Sequence, residues 1–263
     1  MEYTTIRTES TNTVFRVILN RPDIRNAFDD RMILELTDVL DNLKKMDKIR
    51  VVVLSGEGKT FCSGADINWM KKMVSYTFDE NLRDAIKLSV MLDLMYNCTR
   101  PIVAKVQGAA IGGGTGLVAV SDIAIADINT VFSFSEVKIG IVPACISPYV
   151  LKKVGEARSS EFFITGERLN AEQVREAGLV SRVVPPEALD SEVEKVVTQL
   201  LRSGPKAVQM CKEMVRKVPT MSVSEMKTYT ARLIAELRVS DEGQEGMSAY
   251  FEKRTPKWAI TKE

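Results

Sequence analysis

The chain has 263 residues, 45% of them hydrophobic, a formal net charge of +1 and no histidine. That apolar content suffices for a large buried core, and the even charge balance excludes the basic footprint of a nucleic-acid binder or a polybasic membrane anchor. The missing histidine excludes Ser-His-Asp and Cys-His nucleophile systems and the commonest transition-metal ligand, leaving carboxylates, Lys, Tyr, Cys or backbone amides for any chemistry.

Thr13 to Leu19 alternates and is rich in β-branched residues, so it predicts a strand, which Asn20-Arg21-Pro22-Asp23 ends as a turn. Asp29 and Asp30 can cap the next segment, where Met32, Leu36, Val39, Leu40 and Leu43 recur at helical spacing. Val51 to Leu54 reads as a strand, Gly56 to Ala65 as a loop, and Asn81 to Asn97 as a helix stopped by Arg100-Pro101. A buried strand is predicted at Ile102 to Val106. Ser121 to Ala126 and Val131 to Phe134, around Asp127-Ile128-Asn129, suggest a tight strand pair.

From Ser147 the pattern turns helical, with one helix ending at Gly178, a short strand at Leu179 to Val184, and only helices after about residue 187. The expected organisation is an α/β core over residues 1–190 and a helical oligomerisation region over 191–263, within one domain unit. No leader and no run near ~20 apolar residues is present, so a cytoplasmic protein is expected. Cys62, Cys98, Cys145 and Cys211 are scattered without a Cys-x-x-Cys pair, which predicts buried thiols and no metal site.

Ala109 to Leu117 reads Ala-Ala-Ile-Gly-Gly-Gly-Thr-Gly-Leu between a predicted strand and an apolar helix. Without Cβ atoms at Gly112, Gly113 and Gly114, a ligand can approach the backbone, and the amides opening the helix favour an anion or oxyanion. Neither nucleotide signature fits: Leu117 stands where Gly-x-Gly-x-x-Gly needs a small residue, and Val53 stands where a P-loop ending at Gly58-Lys59-Thr60 needs glycine. An isolated glycine pair would mean helix packing, but three in succession favour a site.

Together with Phe61-Cys-Ser-Gly64-Ala65-Asp66-Ile67, the Ser121-Asp122-Ile123 stretch and Phe132-Ser-Phe-Ser-Glu136-Val-Lys-Ile-Gly140-Ile-Val-Pro143, the glycine turn resembles the crotonase (enoyl-CoA hydratase/isomerase) superfamily. The match runs in register through Arg25-Asn26-Ala27, Thr165-Gly166, Ala177 to Val180 and Phe251 to Arg254. Glu-Val-Lys-Ile-Gly and Ile146-Ser147-Pro148-Tyr149 are similar to bacterial methylglutaconyl-CoA-type hydratases. The resemblance implies a spiral of ββα repeats with a C-terminal trimerisation region, a homotrimer or homohexamer, and acyl-CoA thioester substrates. Coenzyme A would enter as part of the substrate, with no separate cofactor.

By position, the resemblance assigns the backbone amides of Ala65 and Gly113 to an oxyanion hole, and Arg25, Ala27, Ala65, Asp66, Ile67 and Gly113 to the CoA thioester. Asp66 also has a plainer reading as a residue that holds its loop through backbone amides. Glu136 is the candidate acid or base, since a carboxylate between Phe134 and Val137 is costly unless paired or used; a salt bridge to Lys138 is the plain alternative. Gly116 stands where typical hydratases of the family carry a second glutamate, and the volume it frees suggests a seat for a substrate carboxylate. Three readings stay open: a hydratase of a short, branched or carboxylated 2-enoyl-CoA, which the motifs favour; a Δ3,Δ2-enoyl-CoA isomerase using one glutamate; and a non-catalytic acyl-CoA binder.

Overall fold

A computed structural model describes residues 3–260 as a mixed α/β fold. Strands β1 (Ile6–Ser10) and β2 (Val14–Leu19) form an antiparallel hairpin, followed by helix α1 (Asp30–Leu43), β3 (Val51–Gly56), α2 (Ile67–Met73) and α3 (Phe78–Tyr96). Then come β4 (Ile102–Val106), β5 (Ala109–Ile111), α4 (Gly113–Val120), β6 (Ile123–Asp127) and β7 (Val131–Ser133). The remainder is α5 (Ser147–Val154), α6 (Glu156–Thr165), β8 (Arg168–Asn170), α7 (Ala171–Glu176), β9 (Arg182–Val184), α8 (Leu189–Arg202), α9 (Pro205–Lys217), α10 (Val223–Val239) and α11 (Asp241–Phe251).

Six strands form one sheet in the order β1-β2-β3-β4-β6-β9, parallel from β2 onward, and β5-β7-β8 form a second, smaller sheet. Parallel strands buried on both faces need apolar residues at every position, which is why β3 reads Val-Val-Val-Leu. Val52 and Leu54 face the main core with α1 and α3, whereas Val51 and Val53 pack with Val103 and Ile125 under Leu189, Val193, Val196 and Val197 of α8. Thus α8 covers the second face of the sheet, and the first long helix that buries no residue, α9, begins at Pro205.

The tight strand pair expected around Asp127 does not form. β6 pairs with β4 and β9 in the large sheet, while β7 pairs with β5 and β8 in the small one. Asp127 causes the divergence: its side chain accepts from the Asn129 amide (2.8 Å) and its other oxygen from the Gly108 amide (3.3 Å). Val131 then donates to the Gly108 carbonyl (3.0 Å), so the chain leaves the turn beside β5 rather than β6. The chain alternates sheets twice in this way, β4 to β5 and β6 to β7, and α4 lies between.

Only Cys62 is fully buried; Cys98 and Cys145 are half-buried and Cys211 is exposed on α9, which buries no side chain. Burial pushes the Cys62 thiol up to about 12, the Gly64 amide offsetting only part of the effect, so it is inert as a nucleophile.

Candidate active site

Gly112 caps α4 with φ +52° and ψ −120°, a conformation open only to glycine, and its amide donates to the Ser133 carbonyl at 2.8 Å. This bond ties the helix start to the end of β7. On the other side, the loop after β3 runs along β5: Cys62 donates to Ala109 (3.0 Å), Ile111 donates to Cys62 (3.0 Å), and Cys62 forms an isolated bridge with Ala110. A Cβ on Gly114 would stand 2.5 Å from the Cys62 carbonyl, and one on Gly113 would overlap the Phe28 ring. The glycines therefore let three segments close on the start of α4.

Phe28 bridges Ala65, donating to Gly64 (2.9 Å) and accepting from Asp66 (2.8 Å). The Ala65 amide between those two bonds has no acceptor among the described residues. Neither has the Gly113 amide, the first of the helix donors left over by helix geometry. Both belong to segments joined through Phe28 and Cys62, so the loop and the helix start are locked in register.

Glu136 reaches this turn from the one-turn 3-10 helix Ser135–Ile139 that follows β7. Phe134, fully buried, anchors the segment, stacking on Phe162 (6.1 Å between centroids) and meeting Phe163 edge-on (5.0 Å). Gly140 closes the turn in the left-handed region, its amide donating to the Glu136 and Val137 carbonyls. The carboxyl lies against Gly112, and Glu136 Oε2 is buried with no hydrogen-bond partner among the described residues. Burial raises its pKa, its own amide offsetting part of the effect, and no salt bridge to Lys138 is formed among the described residues. A carboxyl shielded in this way, with one oxygen left without a partner, is placed to exchange a proton with a ligand at the turn.

The space expected above Gly116 is filled. A Cβ there would overlap Cγ2 of Ile146, which is buried, so the position holds neither a second carboxylate nor room for a substrate carboxylate. Thr115, another hydroxyl within reach of the turn, is buried and donates to the Ala110 (2.7 Å) and Ser133 (3.1 Å) carbonyls. It is structural. Tyr149 packs on Tyr96 with ring centroids 5.1 Å apart.

Among the residues assigned to the thioester, Arg25 is exposed and in the left-handed region, its carbonyl accepting from the Ser63 amide (3.0 Å). Ala27 is buried, and Ile67 is exposed at the first position of α2. The Asp66 carboxylate is already engaged: it caps α2 by accepting from Asn68 (2.7 Å) and Trp69 (3.3 Å) and pairs with Arg21 (2.8 Å). Burial alone would raise its pKa, but the two amides and the Arg21 guanidinium overcome it and hold the group below its ordinary value. These contacts are those of a residue that holds its loop, the plainer of the two readings of Asp66.

Two residues that organise this site entered the sequence reading only as parts of the Asn20–Asp23 turn and of the Arg25-Asn26-Ala27 match. Arg21 joins the Ala27 carbonyl (2.7 Å), Asp29 (3.0 Å) and Asp66, and buried Asn26 donates to the Glu57 (2.9 Å) and Thr60 (2.6 Å) carbonyls while accepting from Arg21 (2.9 Å). Their bonds to Asp66, Glu57 and Thr60 span 31 to 45 residues. Local patterning carries no signal for such bonds.

A family model described as enoyl-CoA hydratase/isomerase matches residues 9–261. A Thermus thermophilus protein provisionally named an enoyl-CoA hydratase is 32% identical over 92% of this chain and 96% of its own length. The peroxisomal Δ(3,5)-Δ(2,4)-dienoyl-CoA isomerase of Arabidopsis thaliana is 30% identical, covering 97% of this chain and 95% of its own. The crystal structure of an enoyl-CoA hydratase from Shewanella pealeana superposes with a TM-score of 0.93 at 35% identity, over 98% of this chain and 97% of that one. The alternating sheets, the glycine turn and Glu136 thus sit in a fold and a sequence shared along nearly the whole length, and the chain is an enzyme of the enoyl-CoA hydratase/isomerase family, the crotonase superfamily.

Proposed function

We propose that the chain is a hydratase that adds water across the C2=C3 bond of a short 2-enoyl-CoA thioester. The observation that carries this reading is the half-buried Glu136 carboxyl, its Oε2 shielded and without a partner among the described residues, set against a glycine turn whose Gly113 amide, like that of Ala65, has no acceptor among them. In this reading the two amides hold the thioester oxygen. Glu136 takes a proton from water as the water oxygen bonds to C3, and the C2=C3 pair moves to give an enolate whose charge the amides stabilise. The enolate then returns its pair to C2, which takes the proton from Glu136, so one water is added and the carboxylate is regenerated.

Arg25, Ala27, Ile67 and the backbone of Asp66 are proposed to receive the CoA portion, Arg25 by its exposed charge and Ile67 by its exposed apolar face. Branching of the acyl chain fits the apolar surroundings of Glu136; a carboxylated chain would have to place its charge away from Gly116. The helices α9 and α10 bury no residue in the single chain, which supports their use in a homotrimer or homohexamer. Among the described residues no helix is long and apolar enough to cross a membrane.

One observation favours isomerisation between 3-enoyl and 2-enoyl thioesters instead: the apolar Ile146 fills the place at Gly116, so Glu136 is the one carboxyl at the turn among the described residues, and shifting a proton between C2 and C4 needs a single acid. Crotonyl-CoA and 3-hexenoyl-CoA supplied in deuterated water separate the two. Hydration yields 3-hydroxybutyryl-CoA from crotonyl-CoA and leaves 3-hexenoyl-CoA, which has no C2=C3 bond, unchanged; 2-hexenoyl-CoA from the second substrate with no hydroxyacyl product from either overturns the hydratase reading.

A further inference from the structure

The end of α3 and one face of α9 enclose a cavity of about 150 Å³, lined by Asn97 and Thr99 on one side and by Gln209, Lys212, Arg216 and Lys217 on the other. The Lys212 side chain is 8% exposed and that of Arg216 17%. Both rest on one carboxylate: Asp122, just past α4, accepts from Lys212 (2.6 Å), from Arg216 (2.9 Å) and from the Ile102 amide (2.7 Å). Lys212 commits a second donor to the Arg100 carbonyl (2.8 Å), and Arg216 lies over the Tyr96 ring at 3.9 Å. An ammonium has three donors and a guanidinium five, so one on Lys212 and most of those on Arg216 have no acceptor among the described residues.

Charge in this cluster is unbalanced as well. Lys217 pairs with Glu213 (2.5 Å), while Asp122 is shared by two cations. Lys153 adds another, donating to the Val118 (3.3 Å) and Ser121 (2.5 Å) carbonyls at the end of α4. Burial brings the Lys153 ammonium down to about 8; Asp122 opposes that shift, and Arg216 and Lys212 add to it, so the cations repel one another. Four cations thus face two carboxylates. Lys152, 4.9 Å from the centre of the Tyr96 ring, and Asp93, bonded to Asn97 (2.8 Å), add one charge of each sign and leave the excess unchanged.

We propose that this cavity is an anion site that takes a phosphate group, either inorganic phosphate or the phosphate of a monoester. A phosphate brings nearly two negative charges and several strong acceptor oxygens, which match both the excess of cations and their unused N–H donors. A monocarboxylate would balance only half of that charge. The cluster meets α4 at its C-terminal end, whereas Gly113 opens the helix at the other, about 12 Å away, so the site is separate from the glycine turn.

The test titrates purified full-length chain at pH 7 with inorganic phosphate and, separately, with glycerol 3-phosphate, at constant ionic strength set by chloride, using calorimetry and thermal unfolding. Phosphate at ~20 mM is expected to raise Tm by about 2–4 °C, the shift that a Kd near ~2 mM gives, while chloride alone leaves Tm unchanged. The tighter of the two probes identifies the free ion or a monoester as the occupant. Gln209→Glu, which sets a carboxylate in the cavity, is expected to weaken phosphate at least ~10-fold and, without phosphate, to melt no lower than the parent. Arg25→Gln, in the segment proposed to receive CoA, is expected to keep the full phosphate shift. A shift lost in Arg25→Gln or kept in Gln209→Glu places the phosphate elsewhere and overturns the proposal. The absence of any phosphate effect on the parent also overturns it, because the excess of cations is then neutralised within the protein's own assembly. If Gln209→Glu does not fold, Lys217→Glu, at an exposed position, must show the same loss of phosphate binding.

Discussion

The Glu136 carboxyl is seated against Gly112: a Cβ at Gly112 would stand 2.9 Å from Oε1 and 3.4 Å from Cδ. The catalytic candidate and the glycine turn are therefore one packed unit, tied by the Gly112 amide on Ser133. Gly112→Ala must strain the backbone at φ +52° and displace the carboxyl at the same time. The expected outcome is a loss of ~1–3 kcal/mol in stability and at least a ~100-fold fall in kcat, read by denaturant unfolding and steady-state kinetics. An alanine variant with parent kcat would show that the carboxyl need not rest on this turn.

Glu136→Gln removes a charge that has no partner for Oε2. Stability should rise by about 2–4 °C in Tm, while kcat falls ~10²–10⁴-fold. Stability and activity moving in opposite directions is the signature of a group kept for chemistry. The base must be ionised to accept water's proton, and burial raises its pKa, so kcat/KM should fall on the acid side with an inflection above the ordinary glutamate value of ~4.3. A pH profile that stays flat down to that value, or a variant that loses both stability and activity, contradicts this role.

Asp66 and Arg21 support the Ala65 amide from behind. Asp66→Ala deletes the α2 cap and one of the two carboxylates on Arg21, and should cost roughly 1–2 kcal/mol and raise KM for the thioester. Asp66→Asn keeps a capping oxygen and should recover most of the stability and of KM. Were the carboxylate itself a ligand contact, the asparagine variant would show the KM of the alanine one.

Much of this was legible beforehand because it is written at short range. The β2 and β3 strands and α1 show in the spacing of apolar residues, since each buries one or both faces over a continuous run, and Asp29 caps α1 where expected. The glycine turn, the 61–67 loop and Glu136 stand out by local composition, although the close packing that the glycines permit was not visible there. What escaped depends on distant partners. Strands β5 and β8 have three residues each, too few to show a period, and the partition of β6 and β7 between sheets follows from Asp127 bonding to Gly108. The filling of Gly116 by Ile146, 30 positions later, left no trace in either segment, and so an absent side chain read as an empty place.

Glu35 interrupts the apolar face of α1, yet it is buried at 2% exposure. Its two oxygens accept from the amides of Thr4 (3.0 Å) and Thr5 (2.9 Å), from both their hydroxyls (3.0 and 2.6 Å) and from Arg31 (2.6 Å). Burial would raise its pKa, but these donors overcome it and bring the group from 4.5 down to about 2. A depressed carboxylate contributes stability that is present above its unfolded value and lost as pH falls through its folded one. The contribution, on the order of 3 kcal/mol, should therefore be complete above about pH 4.5 and disappear between there and about pH 2. Glu35→Gln presents donors to donors, so it should be less stable than the parent at pH 7 and should lose part of the acid slope in urea unfolding measured from pH 7 to pH 2. The site lies at the entry of β1, away from Glu136, so kcat of the folded variant at neutral pH should stay within twofold of the parent. Equal acid slopes in parent and variant would locate the acid sensitivity in another carboxylate.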